Sequence, residues 1–359
     1  MNPRRRHWLA ALAAGALLPA AGAQTVRRGA ELAFPRDHGA HLQARTEWWY
    51  ATGWLGTEAV PTHGVQVTFF RSRTGLAEAN GSRFAAKQLL FAHAAVTRLA
   101  DGVHVHDERI ARWNGDPAAG RSRAALDRGD VHLDGWSLRD TGTAWVAEVP
   151  GRDLGLTLTL RRTQPLLLQG DAGYSRKGPL ESHASHYVSE PQLAMEARVS
   201  LRGRTEAARG RAWMDHEWSD EYLAPGAVGW DWIGFNLFDG SALTAFVLRR
   251  ADGSPLWAGG SFRPAGQPAR AFDAGEVRFT PGRRWRSPAT AASYPVQWQV
   301  ESPAGRHTVR ALMDAQELDS RGSTGTVYWE GLSELLDAQG RRVGLGYLEM
   351  TGYAAALKM

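Results

Sequence analysis

The stretch Leu154-Gly155-Leu156-Thr157-Leu158-Thr159-Leu160-Arg161 decides the fold class. Leucine returns at every second position with a small or polar residue between, which is the period of a strand with one buried and one wetted face. Farther along, Leu193, Met195, Ala197, Val199 and Leu201 alternate with Ala194, Glu196, Arg198 and Ser200 in the same way. Between such runs stand Asn80-Gly81, Asp101-Gly102, Asn114-Gly115, Asp134-Gly135, Asp239-Gly240 and Asp252-Gly253. These dipeptides tolerate the positive φ that tight hairpins require. No segment keeps a helical stripe for three turns. Many antiparallel strands joined by hairpins predict an all-β chain built as barrels or sandwiches.

The first 23 residues stand apart from this pattern. Arg4, Arg5 and Arg6 precede a short apolar run, Trp8 to Leu18, and then the small residues Ala21-Gly22-Ala23. That is the three-part pattern of a secretory leader, with cleavage expected near Ala23 and a periplasmic or secreted mature chain. Arg5-Arg6 followed by His7, Trp8 and Leu9 also fits twin-arginine export. The apolar run is too short to span a bilayer. Without the three arginines the formal net charge falls from +5 to +2, so the apparent basicity points to no nucleic-acid partner. The chain has no cysteine, which excludes disulfides and thiolate metal sites. A mature chain of this length is expected to form two domains. The polar stretch Arg202-Gly203-Arg204-Thr205-Glu206 is either a linker or a hairpin, and it places the division near residue 205, giving domains 24–205 and 206–359.

Four clusters set ionisable groups among large aromatics: Glu47-Trp48-Trp49-Tyr50, Asp215-His216-Glu217-Trp218, Gly229-Trp230-Asp231-Trp232 and Tyr328-Trp329-Glu330-Gly331. On a strand, Asp231 shares its face with Ile233, Phe235 and Leu237, Glu47 with Trp49 and Leu55, and His93 with Leu89, Phe91 and Ala95. A carboxylate on an apolar face must be paired or protonated, and burial raises its pKa toward the range of a general acid. The alternative for each is a structural ion pair. His38-x-x-His41, His183-x-x-His186, His104-x-His106 and Asp215-His216-Glu217 offer metal ligands, but none has a complete spacing, and neither metal nor cofactor is expected. Nucleophile elbows, phosphate loops and dinucleotide fingerprints are missing from the sequence.

At these clusters, and at Gly346-Tyr347-Leu348-Glu349-Met350-Thr351-Gly352-Tyr353, the sequence resembles the family that joins the carotenoid 1,2-hydratases (hydroxyneurosporene synthases, CrtC) and the secreted AttH-like proteins. The resemblance implies two tandem lipocalin-like antiparallel β-barrel domains with an apolar cavity. It also implies an apolar ligand, a lipid or isoprenoid, and no cofactor. The exported leader sets the chain nearer the AttH branch, whose members are linked to ABC-type membrane transporters. In the enzyme reading, a hydratase, Asp231 is the acid, His216 orients water with Glu217 beside it, and Trp218, Trp230 and Trp232 line the cation. Glu47, Trp48, Trp49, Tyr50, His93, Tyr328, Trp329, Glu330 and Tyr353 complete the expected ligand-binding set. In the binding reading the same cavity carries a lipid to a transporter; a secreted hydrolase is a distant alternative.

Overall fold

The computed structural model describes residues 25–357 apart from Ala77 and Arg83; the expected leader, residues 1–23, lies outside the described residues. Strands make up nearly all of its regular structure, and the helix among the described residues is one 3-10 turn at Arg36–His38.

The first thirteen strands are β1 (Thr46–Gly56), β2 (Pro61–Arg73), β3 (Gln88–Arg98), β4 (Val103–Trp113), β5 (Arg123–Ala124), β6 (Asp130–Leu133), β7 (Trp136–Asp140), β8 (Ala144–Val149), β9 (Leu154–Arg161), β10 (Leu167–Leu168), β11 (Tyr174–Arg176), β12 (Ala184–Leu201) and β13 (Arg204–Ser219). They form one antiparallel sheet in the order β4-β3-β2-β1-β13-β12-β9-β8-β7-β6-β5, with β10 and β11 on β12. The sheet curls until β4 packs against β6 and β9. Leu154, Leu156, Leu158 and Leu160 of β9 all point inward and are buried, as the alternation predicts. They meet Trp49, Phe69, Trp136, Trp145 and Met214 in a single core. The β6–β7 hairpin turns on Asp134 (φ 45°) and Gly135 (φ 91°), the two positive dihedrals of a two-residue loop.

The second barrel contains β14 (Gly229–Leu237), β15 (Ala242–Arg249), β16 (Pro255–Arg263), β17 (Arg270–Phe272), β18 (Arg278–Pro281), β19 (Arg284–Arg286), β20 (Ser293–Pro295), β21 (Gln297–Ser302), β22 (Gly305–Ala311), β23 (Glu317–Ser320), β24 (Thr326–Leu336) and β25 (Arg342–Met350). Its order is β17-β16-β15-β14-β25-β24-β22-β21-β18, with β23 on β24 and β19-β20 as a separate ribbon. Ile233, Phe235, Trp298, Trp329, Leu348 and Met350 fill its interior. The fold is thus all-β, two lipocalin-like antiparallel barrels in tandem.

Residue 205 lies in the β12–β13 hairpin, whose tip is Arg202 (φ 48°) and Gly203 (φ 81°). The polar stretch is therefore a hairpin end rather than a linker. β13 stays in the first sheet to Ser219, and the chain changes sheets across residues 220–228.

The barrels meet along the outer faces of β1 and β13 on one side and β14, β24 and β25 on the other. Tyr50, Trp54 and Trp213 pack there with Trp232, Leu332, Leu345 and Tyr347. At Gly64 on β2 a Cβ would lie 2.7 Å from the Tyr347 hydroxyl, so only glycine allows this approach. Asn236 of β14 ties the two together, accepting from the Gln192 backbone N–H (2.8 Å) and donating to the Ala212 carbonyl (3.0 Å).

Candidate functional site

A cavity of about 260 Å³ opens at this junction, lined mainly by apolar surface. It lies between the barrels, outside both interiors.

Strand register builds its walls. In the first barrel, one row across the sheet runs His93, Thr68, Tyr50, Asp215, Ser189, and the next runs Phe91, Phe70, Trp48, Glu217, Tyr187. Facing them in the second barrel is the row Phe246, Trp232, Glu349, Glu330. The cavity is thus enclosed by aromatic rings interspersed with carboxyl groups.

Those carboxyls differ in how they are satisfied. Asp215 accepts hydrogen bonds from the Tyr187 hydroxyl (2.8 Å), the Ser189 hydroxyl (2.5 Å) and the Trp213 indole (2.7 Å). Burial nonetheless pushes its pKa up to about 7. Glu217 pairs with Lys177 at 2.9 Å and accepts from Ser185. Burial raises Glu217 and lowers Lys177, while their mutual attraction opposes both shifts. Glu330 and Glu349 are direct cross-strand neighbours. Burial, then the charge of Glu349, drives Glu330 well above the usual carboxylic range. Burial, reinforced by Asp215 and Glu217, pushes Glu349 up to about 8. The Tyr50 hydroxyl lies beside Glu330, near enough for each to shift the other's pKa but not aligned as a hydrogen bond, and neither Tyr50 Oη nor Glu330 Oε1 has an aligned partner.

A hydrogen-bonded chain leaves the cavity at Tyr328. Its hydroxyl lies 2.8 Å from His93 Nδ1, and His93 Nε2 lies 2.9 Å from the Ser323 hydroxyl, which donates to Glu108. Burial lowers the His93 pKa to about 3, so the ring is neutral; it can accept from Tyr328 and donate to Ser323. The chain crosses the junction, with His93 and Glu108 from the first barrel and Ser323 and Tyr328 from the second.

Of the residues expected from sequence, Glu47, Trp48, Tyr50, His93, Glu217, Trp230, Trp232, Tyr328 and Glu330 line the cavity. Trp49 and Trp329 do not: each is fully buried in its own barrel, its indole donating to the His38 carbonyl (3.0 Å) and the Asp314 carbonyl (2.6 Å) respectively. Trp218 points away and stacks on His41 at 3.7 Å. His216 turns into the first barrel, stacks on Trp49 and reaches Glu47 through Nε2 (3.0 Å). Asp231 turns into the second barrel, where Arg249 Nε lies 2.7 Å away, near but not aligned as a hydrogen bond, and the Tyr353 hydroxyl donates at 2.9 Å. The expectation that Asp231 and His216 share one cavity with an aromatic wall is therefore corrected. They occupy the interiors of different barrels, because on β13 and β14 their neighbours Asp215, Glu217, Trp230 and Trp232 take the cavity side. Tyr353 goes with Asp231, its ring beneath the Arg249 guanidinium at 4.0 Å.

Asp215, Glu349, Tyr187, Tyr222 and Lys177 are absent from the expected set. The signal for the first two was parity: Asp215 shares a strand face with Glu217, and Glu349 pairs across the ladder with Glu330.

His41, Glu47 and His216 bring their donor atoms within 4.8 Å of one another, the group among the described residues best placed to surround a metal ion. Glu47 is already engaged by Arg71 Nε (2.7 Å) on one oxygen and by both imidazoles on the other. Against the upward push of burial, Arg71 and His41 hold Glu47 well below the usual range. Its hydrogen-bonding capacity is met by the protein itself.

The sequence matches the family model described as AttH-like over residues 25–353. A structure bearing the AttH name, from Nitrosomonas europaea, is 44% identical; the match covers 91% of this chain and 99% of that one, with a TM-score of 0.83. Kievitone hydratase from Nectria haematococca is 13% identical, with coverage of 93% and 95% and a TM-score of 0.66. CghA is 14% identical, with coverage of 88% and 90% and a TM-score of 0.53. No match was found among curated proteins. With residues 25–353 matched by one family model and nearly all of a 44%-identical relative superposed on it, this chain belongs to the AttH-like family.

Proposed function

We propose that the cavity binds an apolar lipid or isoprenoid and hydrates an isolated double bond by acid–base chemistry, without a cofactor. The observation that carries this reading is the Glu330–Glu349 pair: two adjacent carboxyls without a cationic partner, held largely protonated near neutral pH against an aromatic wall. One of them donates its proton to the less substituted carbon of the alkene. Positive charge develops on the more substituted carbon, beside the ring faces of Trp48, Trp230 and Trp232. Water adds there, and its surplus proton passes to Asp215 on the opposite wall, which is poised at about 7. The proton then returns to the Glu330–Glu349 pair, and the net change is alkene plus water to alcohol. The acid role expected of Asp231 moves to this pair because Asp231, although burial pushes it up to about 6 against Arg249 and Tyr353, faces the interior of the second barrel and does not line the cavity. Kievitone hydratase, a hydratase by name, lends the reading a precedent on the same fold.

The test is mass spectrometry of an acyclic isoprenoid alkene incubated with the protein in oxygen-labelled water. Wild type should incorporate one labelled oxygen, and Glu349→Gln and Glu330→Gln should lose that incorporation while keeping the fold. Uptake of the alkene without labelled product in any variant would sink catalysis and leave the carrier role, with handover to an ABC-type transporter. We further propose that the mature chain works in the periplasm or beyond; blocking export with Arg5→Lys and Arg6→Lys, followed by cell fractionation, checks the twin-arginine route.

A further inference from the structure

We infer that the cavity between the barrels is a receptor for an organic cation, an ammonium group carried on an apolar body. The first support is how the rest of the molecule treats its buried carboxylates. Asp37 lies against Arg36, Glu47 against Arg71, Glu190 against Arg162, Glu217 against Lys177, Asp231 against Arg249 and Glu334 against Arg342. Asp215 and Glu330, equally buried, have no Arg or Lys partner among the described residues, and neither does Glu349 beside them. Both fully buried exceptions line the one cavity, together with the half-buried Glu349. An unpaired buried carboxyl is costly, so a positive charge is missing where these three converge.

The second support is an open hydrogen-bonding position. Glu330 is 3% exposed, and its Oε1 and the buried Tyr50 hydroxyl beside it have each other as neighbours, yet neither makes an aligned hydrogen bond. The third is that the protein already holds one ammonium against this wall. Lys177 Nζ sits 4.1 Å from the centre of the Phe246 ring, 4.7 Å from Tyr187 and 5.4 Å from Tyr222, with Glu217 at 2.9 Å. Rings with a carboxylate behind them are the environment in which ammonium ions are recognised. Trp48, Trp230 and Trp232 line the same cavity as the unpaired acids, which Lys177 does not line. The mostly apolar lining selects an alkylated or aryl-bearing ammonium over a bare, strongly hydrated one.

Before the cation arrives, the three acids share protons. Glu349 faces Glu330 on β24, Asp215 and Glu217 on β13, Tyr50 on β1 and Tyr222, with Lys177 behind Glu217, and burial keeps it protonated up to about pH 8. A bound cation therefore displaces protons, and binding tightens as pH rises. The inference is independent of the hydration step. The same groups that would steady a transient carbocation would hold a permanent ammonium, which would then compete with the alkene.

The experiment titrates the purified mature chain with benzyltrimethylammonium and, separately, with its uncharged carbon isostere neopentylbenzene. Tryptophan fluorescence reads binding, and calorimetry in two buffers of different ionisation enthalpy counts protons. The cation should bind at least about tenfold more tightly than the isostere, release protons, and gain up to about tenfold in affinity per pH unit between pH 6 and 8. Glu330→Gln and Glu349→Gln should each weaken the cation by about tenfold and leave the isostere unchanged; the exposed Glu196→Gln should change neither. Equal binding of the two probes, no binding of the cation, or an undiminished preference in both glutamine variants overturns the inference. The wild-type comparison needs no substituted chain and so decides even if a variant fails to fold. Cation preference with no labelled oxygen incorporated would leave this inference standing and remove hydration; the reverse would do the opposite.

Discussion

Asp231 and Glu330 are buried carboxyls on the two strands that flank β25, and they differ in the face they occupy. Asp231 turns into the second barrel, where Arg249 and Tyr353 complete it. Glu330 turns toward the other barrel, where its neighbours are a second carboxyl and an unpartnered phenol. Burial alone thus says little about role. A carboxylate that brings its own cation belongs to the scaffold, and one left uncompensated is the candidate for a functional role.

The largest expected effect separates the two by stability. Asp231→Asn leaves the Arg249 guanidinium buried beside a neutral amide and should cost about 3–5 kcal/mol in urea unfolding. Glu330→Gln replaces an acid held neutral by an amide of nearly equal shape and should change stability by less than about 1 kcal/mol. A Glu330→Gln variant as damaged as Asp231→Asn would break the comparison.

A smaller effect appears in the pH profile. Glu330, Glu349 and Asp215 have raised pKa values, so between their unfolded and folded values the native state holds more protons than the unfolded chain. Their contribution is complete below the unfolded value, near 4.5 or less, and is lost as pH rises through the folded one. Buried His93, His104 and His216 run the other way, with folded values of about 3, 3 and 4, and their contribution is complete once pH passes 6.5. His41, raised by Glu47 and Asp37 against its burial, adds to the fall at higher pH. Unfolding free energy should therefore decline from pH 6.5 to 8, by at most about 1.4 kcal/mol per unit for each titrating group. Glu349→Gln should make that slope shallower across the whole range, whereas Asp231→Asn, whose carboxyl burial pushes up only to about 6, should do so only near its lower end. A profile for Glu349→Gln that superimposes on wild type would show that this carboxyl titrates normally.

Much of the fold was legible because β9 and the distal half of β12 alternate cleanly, with one face in the core and one toward water. The strands of the site lack that contrast. β1 is buried on both faces, its central residues alternating between the first core and the junction. Glu47-Trp48-Trp49-Tyr50 therefore advertises a site without revealing that Trp48 and Tyr50 look one way and Trp49 the other. The same ambiguity on β13 favoured His216 over Asp215, and on β14 it favoured Asp231 over the tryptophans beside it. The division near residue 205 failed to mark the change of sheet for a related reason, since β12 and β13 are long enough for their polar hairpin tip to pass for a linker.

Placing the cavity on the outer faces of β1, β13, β14 and β25 has an evolutionary consequence. Along each of these strands, most residues of one parity hold a barrel together and residues of the other parity face the junction between the barrels. Trp49, Ala51, Met214 and Ile233 are bound to their cores, whereas Trp48, Tyr50, Asp215 and Trp232 face the cavity between the barrels. Lineages descending from such a chain are free to drift in what they hold, by changing every second residue, while the intervening residues keep both barrels intact.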